Sequence, residues 1–139
     1  MTVEQNIAVV REYHERMWMR DDLTALDDCW NPAAAVEVSG FADSTIEAIR
    51  DDVTRYRGAF TDVRASILDL IGQDDKVVLH WETTGRHVGP YGSVAATGKD
   101  ITMTGVDIFR VADGRIVACQ SLWDGLSVYE QMGVLSYPE

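Results

Sequence analysis

Residues 105–125 read GVDIFRVADGRIVACQSLWDG, and they hold two acids in an otherwise apolar, strand-forming run. Asp107 sits among hydrophobic neighbours and Asp124 closes the run. A carboxylate carried on a buried face loses water, so its charged form is disfavoured and its acidity shifts toward neutral pH. That shift is what an acid needs to move a proton or donate a hydrogen bond near pH 7. His87, within GRHVGPYG, is a third ionisable group at a strand end or loop. Two structural alternatives stand beside this reading. Asp107 can simply pair with an arginine or a backbone group, and Asp124 precedes GLSVYEQ as a good helix N-cap.

Side chains alternate across a strand, so each run splits into two faces. In 101–109, Ile101, Met103, Gly105, Asp107 and Phe109 share the more apolar face. In 77–87, Val77, Leu79, Trp81, Thr83, Gly85 and His87 share one. Simple alternation in the last run groups Ile116, Ala118, Gln120, Leu122 and Asp124. Three neighbouring strands then each bring one ionisable group to an apolar face: His87, Asp107 and Asp124. The expected pocket is closed and largely apolar, lined by Tyr13, Trp81, His87, Met103, Asp107 and Asp124. Trp18, Phe109 and Gln120 are further candidate contacts. His80 lies on the polar face beside Glu82 and Arg86 and reads as structural.

Those strands need a frame. Val3, Ile7, Val10, then Tyr13 or His14, then Met17 recur at helical spacing and predict an amphipathic helix to about Arg20. Leu23, Leu26 and Trp30 make a second, short stripe that Pro32 ends. Residues 33–41 are a short extended piece. Asp43 or Ser44 is the N-cap candidate of a helix carrying Ile46, Ile49, Val53 and Tyr56 on one face. After Thr61 the period becomes alternating and continues through four strands, with ADG as a turn. GLSVYEQMG predicts a short closing helix. Helices first and strands later predict an α+β fold with a mostly antiparallel sheet.

The chain has 139 residues, room for one domain spanning 1–139 with a real core. Its net charge of −11 repels phosphate backbones and anionic lipid, which argues against nucleic acid and membrane-surface partners. No run of apolar residues is long enough to span a membrane, and MTVEQN lacks a signal-peptide pattern, so a cytoplasmic location is expected. Cys29 and Cys119 read as small buried thiols. The three histidines show no metal-ligand spacing, and no metal site is expected. Val78, Val106, Ile108, Val117 and Trp123 make the other sheet face too apolar for water, which predicts a homodimer through that face.

In order, His87 with GP, TGK at 97–99, GVDIFRVADGRIV at 105–117, Asp124 and QMG resemble the SnoaL-like polyketide cyclases of the nuclear transport factor 2-like superfamily. The resemblance covers the C-terminal half well and the N-terminal helices in outline. It implies a conical fold, a strongly curved sheet closed by helices around a cavity, and frequent dimers. It also implies cofactor-independent, metal-free ring closure of a polyketide by intramolecular aldol chemistry, with an Asp as acid/base, here Asp124. This chain has Ala118, Cys119 and Gln120 where the family often has EHW, so hydroxylase and epoxide hydrolase chemistry remain alternatives, as does a non-catalytic binding module.

VVREYHERM and VDIFRVADGRI also resemble ketosteroid isomerase, a relative that is itself a standard example of a protonated aspartate in an oxyanion hole. That resemblance places an oxyanion hole at Tyr13 and Asp107. The isomerase's base would fall at Val38, which cannot take a proton, so steroid-type isomerisation is disfavoured. The combined expectation is that Asp107 stays protonated near pH 7 and donates to a carbonyl of a small hydrophobic molecule, while ionised Asp124 takes the proton.

Overall fold

The structure is a computed structural model and describes residues 1–38, 41–136 and 138, with the backbone alone at 41–44. Helix α1 (Val3–His14) starts on a capping box in which Thr2 and Gln5 satisfy each other's backbone N–H. It runs into a π-helical turn at Glu15–Met19, closed by Arg20 N–H donating to the Glu15 carbonyl. Helix α2 (Ala25–Cys29) leads directly into β1 (Trp30–Val38), followed by β2 (Phe41–Ser44) and α3 (Ile46–Ala59). Strands β3 (Phe60–Gln73), β4 (Lys76–His87), β5 (Asp100–Ala112) and β6 (Arg115–Trp123) follow, then α4 (Gly125–Gln131).

The six strands form one sheet in the order β2-β1-β6-β5-β4-β3. Only the β1–β6 pair is parallel; the remaining neighbours are antiparallel. The β5–β6 hairpin turns on Asp113 and Gly114, both at positive φ (51° and 78°), the two-residue geometry that matches strand twist. The period change after Thr61 and the closing helix are as the sequence predicts. Two starts differ. Trp30 and Pro32 belong to β1, and Pro32 lies where the β1–β6 ladder skips from Trp30–Ile116 to Ala35–Ala118, a stretch that tolerates a missing N–H. The cap of α3 is Thr45; the side chains of Asp43 and Ser44 lie outside the described residues.

The inner sheet face packs on α1 and α3. One core gathers Val10, Tyr13, Met17, Trp30, Leu79 and Phe109; a second holds Tyr56, Phe60, Ile101, Met103, Val128 and Met132. Phe109 is fully buried, and burial of a side chain of that size stabilises by about 1.5–3 kcal/mol. Trp18 and Trp81 pack against both clusters and join them.

Alternation holds along β4 and β5 as the sequence predicts. It fails in β6. The hairpin pairs Ala112 with Arg115 and Val111 with Ile116, but Arg110 then pairs with Ala118. The extra residue, a β-bulge, turns the rest of β6 over. Cys119, Ser121 and Trp123 therefore lie opposite Phe109, Asp107 and Gly105, while Gln120 and Leu122 turn outward. The sequence-based assignment of Ala118, Gln120 and Leu122 to the inner face, and of Trp123 to the outer one, is corrected accordingly.

Candidate functional site

A cavity of about 110 Å³ lies between the sheet and the helices. From α1 and its π-turn come Tyr13, His14 and Trp18; from α3, Ile49, Asp52 and Val53. Strand β1 supplies Trp30 and Val38. The sheet supplies Trp81, Asp107, Phe109, Cys119 and Ser121. Its lining is largely apolar. A larger hollow of about 480 Å³, among Asp62, Arg64, Arg86 and Asp100, is mostly polar and holds none of the groups whose acidity is displaced.

Asp107 is the acid of this cavity. Its Oδ1 accepts hydrogen bonds from the Trp81 indole N–H (3.1 Å) and the Ser121 hydroxyl (2.6 Å). Burial pushes its pKa up to about 6, and those two hydrogen bonds oppose the rise. The carboxyl is thus mostly ionised at pH 7 and half-protonated one unit lower. That replaces the expectation of a group held protonated at neutral pH. Gly105 makes the arrangement possible: the Trp81 indole lies across the space that a Cβ would occupy.

Tyr13 is 4 % exposed, with its ring edge-on to Trp30 (5.3 Å) and Phe109 (6.0 Å). Burial first, and the Asp107 charge second, push its pKa well above the usual tyrosine value, so it is a neutral hydroxyl. Both Tyr13 and His14 face inward, although helical spacing offers one slot. Two i,i+4 rows, Tyr13–Met17 and His14–Trp18, continue into the π-turn, whose extra residue widens the inward stripe. The turn is pinned to α3 by Arg57, which donates to the Trp18 carbonyl (2.5 Å). Cys119 is held as the thiol, since burial raises its pKa well above normal.

Of the residues picked from sequence, Tyr13, Trp18, Trp81, Asp107 and Phe109 meet in this cavity, and Asp124, His87, Met103 and Gln120 do not. His87 is fully buried beneath the 97–99 loop. Its Nδ1 accepts the Thr97 N–H (3.2 Å), and its ring stacks on Phe60 (5.1 Å), so it clips that loop to β4. Met103 belongs to the second core, because Trp81 fills the space between the two clusters. Gln120 is exposed on the outer face, turned there by the bulge. Asp124 is exposed and caps α4, accepting the Ser127 N–H at 3.0 Å. The bulge has already turned the even-numbered residues of β6 outward, and the register sets Ser121 opposite Asp107, so Asp124, just past the strand's end, comes neither to the inner face nor beside Asp107.

Asp124→Ala should cost about 0.5–2 kcal/mol in denaturant unfolding, the usual cost of a lost N-cap, while Asp124→Asn keeps the cap and the stability. Ser121, Cys119, Trp30 and Asp52 were not legible as site residues. Counting through the bulge is the only route to Ser121, and no sequence signal marks the bulge. Among the described residues, no group of three or more His, Cys, Asp or Glu side chains could hold a metal ion. None of the described helices is long and apolar enough to cross a membrane.

The sequence profile of the SnoaL-like polyketide cyclases matches residues 8–132, and the chain belongs to that family. The fold is NTF2-like. Solved structures superpose over nearly the whole chain. AclR, a candidate hydroxylase from Streptomyces galilaeus, is 20% identical, with a TM-score of 0.87 over 97% of this chain and 100% of that one. IdmH, a candidate polyketide cyclase from Streptomyces antibioticus, is 24% identical, with a TM-score of 0.82 over 94% and 99%. TsrD from Streptomyces laurentii is 27% identical, with a TM-score of 0.80 over 92% and 97%. No curated protein matches the chain.

Proposed function

We propose that the chain is a cofactor-independent acid–base enzyme acting on a polyketide-like carbonyl compound, most simply by intramolecular aldol ring closure. The observation that carries this is Asp107: a carboxyl with a pKa near 6, positioned by two donors on one oxygen, at the wall of an apolar cavity. A base of that strength takes a proton from a carbon next to a carbonyl most effectively near neutral pH. Tyr13, a neutral hydroxyl in the same cavity, is suited to donate to the developing enolate oxygen. Val38 lines the wall where the isomerase base would fall, and its side chain cannot take a proton. The family's association with polyketide cyclases supports the substrate class.

The test is proton exchange. A compact β-diketone in heavy water should lose its α-proton NMR signal faster with the protein than with buffer. Binding without accelerated exchange would leave a binding module instead.

The same reading includes a cytoplasmic homodimer. The outer sheet face presents rows across the strands: Ile71, Val78, Ile108 and Gln120 in one, His80, Val106 and Leu122 in the next. Ile71 is 55 % exposed and Leu122 43 %. Such an apolar face favours pairing with a second copy. Sedimentation should give twice the monomer mass at micromolar concentration; a monomer there would contradict the dimer.

A further inference from the structure

We infer that His14 is a ligand-reading group: it accepts a hydrogen bond from a neutral phenolic or enolic hydroxyl on a single ring held in the cavity. His14 is 2 % exposed and lines the cavity, yet neither of its ring nitrogens has a partner among the described residues. A buried polar group left in that state costs free energy that a hydrogen-bonding ligand recovers. Burial also lowers its pKa to about 4, so the ring is neutral at pH 7 and offers one acceptor and one donor. Trp30, from β1, lines the same cavity and carries a second buried polar atom, Nε1, without a partner among the described residues. A hydroxyl both donates and accepts, and so fits this set.

Charge and size narrow the ligand further. Asp107, the buried acid in this cavity, is mostly ionised at pH 7, so an anionic ligand is repelled. The surrounding rings are Tyr13, Trp18, Trp30, Trp81 and Phe109. A volume of about 110 Å³, below the roughly 150 Å³ of an apolar cavity that takes up benzene, limits the buried part of the ligand to a single ring. The inference shares the cavity and the ionised Asp107 with the proposed function, and rests on that reading only in naming the part of the substrate that α1 reads.

The probe is phenol, with toluene as the ring lacking a hydroxyl. In protein labelled with ¹⁵N-histidine, phenol should move the unprotonated nitrogen of His14 upfield and leave His80, exposed on the opposite sheet face, unmoved. Phenol should bind about tenfold more tightly than toluene, the scale of one net hydrogen bond, and His14→Phe should reduce that preference to about one. Toluene binding as tightly as phenol, phenol binding without moving His14, or no saturable phenol binding would each overturn the inference. The labelled wild-type measurement stands even if His14→Phe fails to fold. If the diketone exchanges no protons while His14 answers phenol, the enzymatic reading fails and this one stands. Exchange with a silent His14 sinks this one alone.

Discussion

Asp107→Leu is expected to lower diketone proton exchange by about 10²–10⁴-fold, the usual scale for a positioned acid–base group, while the protein stays folded. Asp107→Asn should fall nearly as far. Its amide oxygen still accepts from Trp81 and Ser121, so the pocket keeps its shape, but it cannot take a proton. In the wild type, the rate should rise with pH along an acid limb centred near 6, as the carboxyl ionises.

The stability of the same variant has the opposite sign. The unfolded carboxyl titrates near 3.8 and the folded one near 6, so between these values unfolding releases a proton. Stability contributed by this group is therefore present below about pH 4 and lost as pH rises toward about 6. Asp107→Asn removes that loss. It should be more stable than wild type at pH 7 by up to about 3 kcal/mol, with the difference vanishing below pH 4. Denaturant unfolding of both proteins at pH 4 and pH 7 checks this. A difference from wild type that is the same at both pH values would show that burial does not disfavour the Asp107 charge, and a fully active variant would show that Asp107 is not the base.

Gly105→Ala should be nearly as damaging to the site without touching a polar atom. A Cβ at this position would lie 2.7 Å from the Leu122 carbonyl oxygen and would meet the Trp81 ring. The indole can swing away, but the carbonyl belongs to the paired backbone of β6 and cannot. Overpacking of this kind costs about 1–3 kcal/mol, measurable by denaturant unfolding. The displaced indole also stops donating to Asp107. That hydrogen bond lowers the carboxyl's pKa, so its loss should carry the acid limb to higher pH. Trp81→Phe should reproduce the pH shift without the backbone clash. An unmoved pH profile in both variants would separate Trp81 from the acidity of Asp107.

Asp124 offers a sharp contrast. Asp124→Asn should leave exchange unchanged within about twofold, because asparagine is an equally good N-cap. A hundredfold drop would return Asp124 to the chemistry.

What the sequence determined by itself is local and periodic. The inner faces of β4 and β5 follow from alternation alone, so Trp81, Asp107 and Phe109 were legible as neighbours; helical spacing left Tyr13 or His14 open, and the isomerase resemblance singled out Tyr13. The order of helices before strands, with its resemblance to a known family, was enough for the α+β class and the cavity. Two irregularities decided the rest, and both belong to the tertiary structure. The π-turn after His14 admits two adjacent residues to a face that regular spacing grants to one. The bulge after Ile116 arises where β6 must pair with β5 on one side and with the interrupted ladder of β1, near Pro32, on the other. One inserted residue reverses every later side chain, since a strand repeats every two. It exchanges Gln120 for Ser121 opposite Asp107, and the strand's end at Trp123 leaves Asp124 to cap a helix.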